Sequence, residues 1–336
     1  MPHRAPLVIG HRGAPGYRPE HSRSSYELAI AQGVDAVEPD VVFTKDRVAV
    51  VRHENEIGST TDVADRPEFA SRRTTRMVDG IAHTGWFTED FTWLELSTLR
   101  CRERLPELRP DSAAFDGSEP PLRLHELLDL VAAAGVARGR EVAVVLEVKH
   151  ATYFGTLGFD VAGLLRDELR AAGWPGRDRP LIVESFEPTI LGALQEHGIP
   201  AAYVLLYEDE GRPYDLVSQR GRAAPTYRAL STPAALDTLA RTIDGISVDK
   251  KTLLSGGSRV VDDAHARGLQ VFTWTCRPEN VFLETRFRLE TRFHEGAGDA
   301  VFGDYAAEWR EIADTGVDGV FVDHPDLGVG CFGGGT

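Results

Sequence analysis

The chain carries 336 residues, 42% of them hydrophobic, enough to bury a large core as one barrel-sized domain or as two smaller ones. Its 37 lysines and arginines face 52 aspartates and glutamates, a formal charge of −15 that argues against bulk attraction to nucleic acid or to an anionic membrane. An anionic small-molecule substrate would need a local cation, from arginine, lysine or bound metal. No stretch reaches the roughly eighteen uninterrupted apolar residues of a membrane span, and Met1 to Pro6 lacks the apolar run of a secretory leader. Three scattered cysteines, Cys101, Cys276 and Cys331, fit a reducing compartment better than a disulfide framework, so a cytoplasmic protein is expected. Nothing in the pattern signals an oligomeric state.

Apolar runs of strand length fall at residues 7–10, 36–43, 142–148, 181–184, 201–206, 245–248, 270–275 and 319–322. Helical spacing fills 24–32, 122–134, 162–172, 188–197, 234–241, 260–267 and 306–315, with Gly33, Gly135, Gly198 and Gly268 as stop signals. Eight strands alternating with helices predict an α/β fold closed as a TIM (β/α)8 barrel. An open doubly wound sheet needs similar elements, but no G-x-G-x-x-G turn follows the first strand. Two segments break the alternation. Residues 54–121 form an insertion after strand two, with about a helix and a half of weak pattern; residues 277–305 form a long loop after strand seven. In one barrel domain spanning 1–336, both would emerge on the C-terminal face, where loops carry function. The long loop also holds a short duplication, residues 283–287 and 289–293.

The chemistry gathers at strand ends. Leu7-Val8-Ile9-Gly10 runs directly into His11-Arg12-Gly13, an imidazole and a fixed cation at a strand tip. Strand two reads Val37-Glu38-Pro39-Asp40-Val41, and strand alternation puts Glu38 and Asp40 on one face, where a divalent cation would relieve their repulsion. The chain then turns over Thr44-Lys45-Asp46-Arg47 and returns as Val48-Ala49-Val50-Val51 to Arg52-His53. A four-residue turn would set His53 opposite Glu38, and a two-residue turn at Asp46-Arg47 would set it opposite Asp40. Strand three ends Glu147-Val148-Lys149, adding a carboxylate and a cation. An internal salt-bridge layer is the bland alternative. Two imidazoles suit an acid–base pair, while three carboxylates suit Ca2+ or Mg2+ better than zinc. With arginine and lysine they describe a site for a phosphate ester and metal-assisted displacement at phosphorus.

The ordered set His11-Arg12-Gly13, Pro19-Glu20-His21, Glu38-Pro39-Asp40-Val41, Thr44-Lys45-Asp46, Val50 to His53 and Leu146-Glu147-Val148-Lys149 resembles the glycerophosphodiester phosphodiesterase family. Echoes follow at Glu184-Ser185-Phe186, Thr273-Trp274-Thr275, and Gly316-Val317-Asp318-Gly319 through Asp323-His324-Pro325. The insertion looks most like the longer, periplasmic-type bacterial members. The resemblance implies a barrel enzyme that splits glycerophosphodiesters into glycerol 3-phosphate and an alcohol. It implies His11 and His53 as general acid and base, and Glu38, Asp40 and Glu147 as ligands of a divalent metal ion. Arg12 and Lys149 would bind phosphate, Glu20 would assist the metal or the glycerol, and Phe186 and Trp274 would line the glycerol or leaving-group pocket. Departures from the family pattern are His21 for the usual asparagine, Pro39 for leucine, and Glu54 for the aspartate after the second histidine. A related enzyme acting on lysophospholipids or sphingolipids would need apolar loop surface, for which Phe282, Phe287 and Phe293 are candidates. A non-catalytic barrel that holds metal or phosphodiester is the other alternative.

Overall fold

The computed structural model describes residues 5–176, 180–289 and 298–333. In chain order the strands are β1 (Leu7–His11), β2 (Ala36–Glu38), β3 (Asp40–Phe43), β4 (Ala49–Val51), β5 (Thr74–Val78), β6 (Ile81–Gly85), β7 (Ala143–Val148), β8 (Leu181–Ser185), β9 (Ala202–Tyr207), β10 (Gly245–Asp249), β11 (Gln270–Cys276) and β12 (Gly319–Val322). β1 pairs in parallel with both β2 and β12, and the ladder runs from β7 through β8, β9, β10 and β11 to β12. β2 and then β3 pair with β7, so together they form one stave of a closed eight-stave parallel barrel.

Valine-rich strands are what such a barrel needs, since both faces of each strand are covered. Val8 packs into the shell of core between strands and helices, whereas Ile9, its neighbour, joins Ala36, Val145, Val204, Phe272 and Phe321 in a separate cluster that fills the barrel interior. Gly319 makes room for that filling, because a Cβ there would come within 2.5 Å of the Phe272 ring.

Three expectations need correction. Residues 36–43 are not one strand: Pro39 has no N–H for the ladder, and the stave divides there into β2 and β3. Gly135 does not end its helix. That helix runs Leu124–Arg138, anchored by Leu124, Leu127, Leu128 and Val131, and Gly139 supplies the left-handed cap at φ 62°. The insertion holds a β5–β6 hairpin among short 3-10 turns and two four-residue helices rather than a helix and a half. The Asp79-Gly80 pair, at φ 49° and 81°, is a hairpin signal whose strands are too exposed for apolar alternation to reveal.

The β3–β4 register also falls between the two expected. Val41 faces Val51, Val42 faces Val50 and Phe43 faces Ala49, because the connection is five residues, closed by the Thr44 N–H donating to the Val48 carbonyl at 3.0 Å. The Arg52 N–H bonds the Asp40 carbonyl, so Arg52, not His53, sits opposite Asp40. A one-residue shift exchanges the faces. Arg52 is buried against Cys101, and His53 turns to the barrel mouth.

Filling the Gly319 notch tests the interior packing. Gly319→Val should lower unfolding stability by about 1–3 kcal/mol in urea titrations through overpacking against Phe272; an unchanged midpoint would mean that the interior has slack.

Candidate active site

The C-terminal strand ends open into a cavity of about 290 Å3. His11, Arg12, Glu38, His53, Glu147, Lys149, Phe186 and Trp274, all expected from the sequence, line it. Glu184, Asp249, Lys250, Lys251, Arg277 and Phe282 join them. Arg12 follows β1 in a left-handed turn (φ 56°), and its N–H reaches a Glu38 carboxylate oxygen at 2.9 Å. The Glu147 N–H bonds the Pro39 carbonyl at 2.9 Å, locking β7 beside the divided stave.

Asp40 and Glu20 stand behind the cavity wall. Asp40 accepts from His21 Nε2 at 2.9 Å and lies 3.1 Å from Lys149 Nζ and 3.4 Å from Arg12 Nε. Against the upward push of burial, Lys149, His53, His21 and Arg12 hold its carboxyl well below the usual aspartate range. Glu20 is gripped by Arg12 and Arg104 rather than presented to the cavity.

Among the described residues, the acidic group that could close round one cation is Glu38, Glu147 and Glu184, whose oxygens approach within 4.8 Å of one another. Asp40 and Glu184 both flank Glu147 as Cα partners, across the β3–β7 and β7–β8 ladders, but Asp40 is engaged by His21, Lys149 and Arg12, and Glu184 is the one that joins the group. That placement was legible as a glutamate at the tip of its own strand, as in strand three. Burial, reinforced by the other carboxylates, drives Glu38 and Glu184 well above the usual range and pushes Glu147 up to about 8. Glu38 Oε1 and Glu184 Oε2 are buried with no hydrogen-bond partner. Orphaned hard oxygens that repel one another fit a divalent cation.

Each histidine is held by a carboxylate. His11 Nδ1 lies 2.6 Å from Asp323 Oδ1, and His53 Nδ1 lies 2.5 Å from Glu54 Oε1. Burial, with Arg12 next, lowers His11 to about 4; burial, Arg12 and Lys149 lower His53 to about 3. Asp323 stands at the tip of β12, in the stretch after Gly319, and its role was not assigned from sequence.

Phe186 and Trp274 pack edge to face, with ring centroids 5.7 Å apart. Phe282 and Phe287 of the long loop are half-buried, each beneath a guanidinium, Arg277 at 4.6 Å and Arg286 at 4.8 Å. The first copy of the duplication holds the 3-10 turn Thr285–Phe287, while Phe293 and most of the second copy lie outside the described residues. No helix of the described residues is long and apolar enough to cross a membrane.

The profile of the glycerophosphoryl diester phosphodiesterase family matches residues 11–327. The chain belongs to that family. It is thus an enzyme of the phosphodiesterase class, and relatives cover it almost end to end. A glycerophosphodiester phosphodiesterase of Arabidopsis thaliana is 28% identical over 95% of this chain and 83% of its own length. A Silicibacter pomeroyi crystal structure assigned to the same family superposes with a TM-score of 0.67, at 24% identity, over 99% of this chain and 94% of that one. A phosphodiesterase of Oleispira antarctica, solved in complex with the product sn-glycerol-3-phosphate, has a TM-score of 0.63 at 18% identity, over 98% of each chain. These structures share the barrel.

One carboxylate beside the mouth provides a pH test of this end of the barrel. Burial pushes Glu187 from 4.5 up to about 7, with Asp79 and Asp215 adding to the rise against hydrogen bonds from Thr152. The folded state disfavours the charged form, so stability falls as pH rises from 4.5 to about 7 and is constant above. Glu187→Gln should flatten that slope, raising Tm at pH 8 by about 2–4 °C relative to the parent while leaving pH 4 nearly unchanged in calorimetry.

Proposed function

We propose that the chain hydrolyses glycerophosphodiesters to glycerol 3-phosphate and an alcohol, with His11 and His53 as its acid–base pair. The observation that carries the reading is the meeting of two carboxylate-held imidazoles, two cations and an acidic group in one cavity. The product found in the Oleispira antarctica relative supports the same substrate class. A carboxylate at Nδ1 keeps the proton there and leaves Nε2 basic. One Nε2 takes the proton of the attacking nucleophile, water or the substrate's own glycerol hydroxyl, and the other delivers a proton to the departing alcohol oxygen; by the hydroxyl route the cyclic phosphate is then opened by water with the two roles exchanged. Both rings rest neutral at pH 7. A bound phosphodiester anion raises the proton affinity of the ring beside it, which is what the acid needs.

Arg12 and Lys149, which both line the cavity, bind the phosphoryl oxygens. Phe186 and Trp274 supply the apolar wall for the glycerol or the leaving group. Glu38, Glu147 and Glu184 hold a divalent ion, Ca2+ or Mg2+, which supplies Lewis-acid polarisation of a phosphoryl oxygen when bound. The two half-buried phenylalanines of the long loop, each covered by an arginine, favour soluble glycerophosphodiesters over lysophospholipids or sphingolipids.

With glycerophosphocholine as substrate and metal present, His11→Ala and His53→Ala should each lower kcat by about a hundredfold or more. Near-normal turnover by either variant would sink the acid–base assignment. A chelator should abolish turnover and added Ca2+ or Mg2+ restore it, and Glu184→Gln should raise the metal concentration for half-activity by about tenfold or more. An unchanged metal requirement in that variant would remove Glu184 from the ligand set.

A further inference from the structure

We infer that Arg104 and Arg109, both from the segment inserted between β4 and β7, position the two histidines through the carboxylates that hold them, an inference resting on the reading of His11 and His53 as the acid–base pair. Arg104 grips Glu54, with Nη1 2.8 Å from Oε1 and Nη2 2.5 Å from Oε2. Glu54 Oε1 is the atom 2.5 Å from His53 Nδ1. The same guanidinium donates to both oxygens of Glu20, at 2.9 and 2.6 Å, and Glu20 accepts from Arg12 Nη1 at 3.0 Å. One planar fork therefore fixes His53 and the phosphate-facing Arg12 together. Lysine, a point charge, cannot span both carboxylates in this way.

Arg109 repeats the device on the other side. It donates Nη2 to Asp323 Oδ2 at 2.6 Å and Nε to Glu279 Oε1 at 2.7 Å, while Asp323 Oδ1 lies 2.6 Å from His11 Nδ1. Arg277 Nε also reaches Asp323 Oδ2, at 2.7 Å. The segment that carries both arginines is itself pinned. Buried Glu103 accepts the Leu105 N–H at 2.8 Å and the Ser112 hydroxyl at 2.6 Å, and the Arg109 N–H closes a turn on the Leu105 carbonyl.

The consequence is a shared tautomer. A buried carboxylate without a counter-charge would gain a proton or swing toward another donor, and an imidazole beside it would be free to carry its proton on Nε2. Arg104 on Glu54, and Arg109 together with Arg277 on Asp323, keep the two carboxylates ionised and fixed, so both rings keep Nδ1–H and turn Nε2 to the substrate. Neither Arg104 nor Arg109 lines the cavity, so both act as positioning residues.

The test is Arg104→Met and Arg109→Met, which remove the guanidinium at similar length, alongside Arg109→Lys, which keeps one donor for Asp323. With glycerophosphocholine, each Met variant should lose about tenfold or more in kcat while KM changes less than about threefold, and Arg109→Lys should recover most of the loss. The 15N–1H spectrum of histidine-labelled protein gives the readout that a merely structural role would not move. It should show Nδ1–H for both rings in the parent, with loss of that signature for His53 alone in Arg104→Met and for His11 alone in Arg109→Met. Unchanged tautomers in folded Met variants, or activity lost only in step with Tm, would overturn the positioning role. Full activity in His11→Ala or His53→Ala would instead overturn the acid–base reading beneath it.

Discussion

The constraint on which this site depends is an excess of buried negative charge at the barrel mouth. Glu38, Asp40, Glu147 and Glu184 crowd one end of the barrel, and the cations in direct contact with them are Arg12 and Lys149. Two positive charges cannot satisfy four carboxylates out of water. The structure divides the problem unequally. Lys149 and Arg12 lean on Asp40, which stays ionised, while Glu38 and Glu184 are left to repel each other and are pushed toward protonation. That imbalance favours a cation, since a divalent ion would supply the missing counter-charge.

Pro39 makes the division possible. In an unbroken strand Glu38 and Asp40 would stand on one face, roughly 7 Å apart along the chain, and would share one environment. The break between β2 and β3 gives each its own. Glu38 accepts the Arg12 N–H and joins the acidic group; Asp40 drops behind the wall into a cage of His21, Arg12 and Lys149. The proline that departs from the family pattern is thus a structural device at the site.

Strand tips were the legible part of this chain. Periodicity alone places eight buried strands, and the rule that charges on such strands need partners leads from the sequence to His11, Glu38, Glu147 and Lys149. Two kinds of feature escaped. Register depends on how many residues a turn uses, and the five-residue connection after Phe43 is not distinguishable from its neighbours by residue type, so the partner of Asp40 was misplaced by one. Long-range ion pairs leave no periodic trace at all. Arg104 lies 50 and 84 residues from Glu54 and Glu20, Asp323 lies 214 residues from Arg109 and 312 from His11, and only closure of the barrel brings β12 beside β1.

His21, another departure from the family pattern, is built into the same network. Its ring is wholly buried, and burial lowers its pKa, so it sits neutral with Nε2–H donated to Asp40 and Nδ1 accepting from the Tyr26 hydroxyl at 2.7 Å. An asparagine side chain is too short to span both partners from this backbone position. The imidazole therefore links Asp40 to Tyr26, a residue of the helix Arg23–Gln32 whose hydroxyl also lies 3.2 Å from the Glu38 carbonyl. Asp40 is then oriented by the first helix of the barrel as well as by its own strand, and the acidic group beside it inherits that order: Lys149, fixed by Asp40 on one side, is fixed on the other by Glu147 at 2.6 Å.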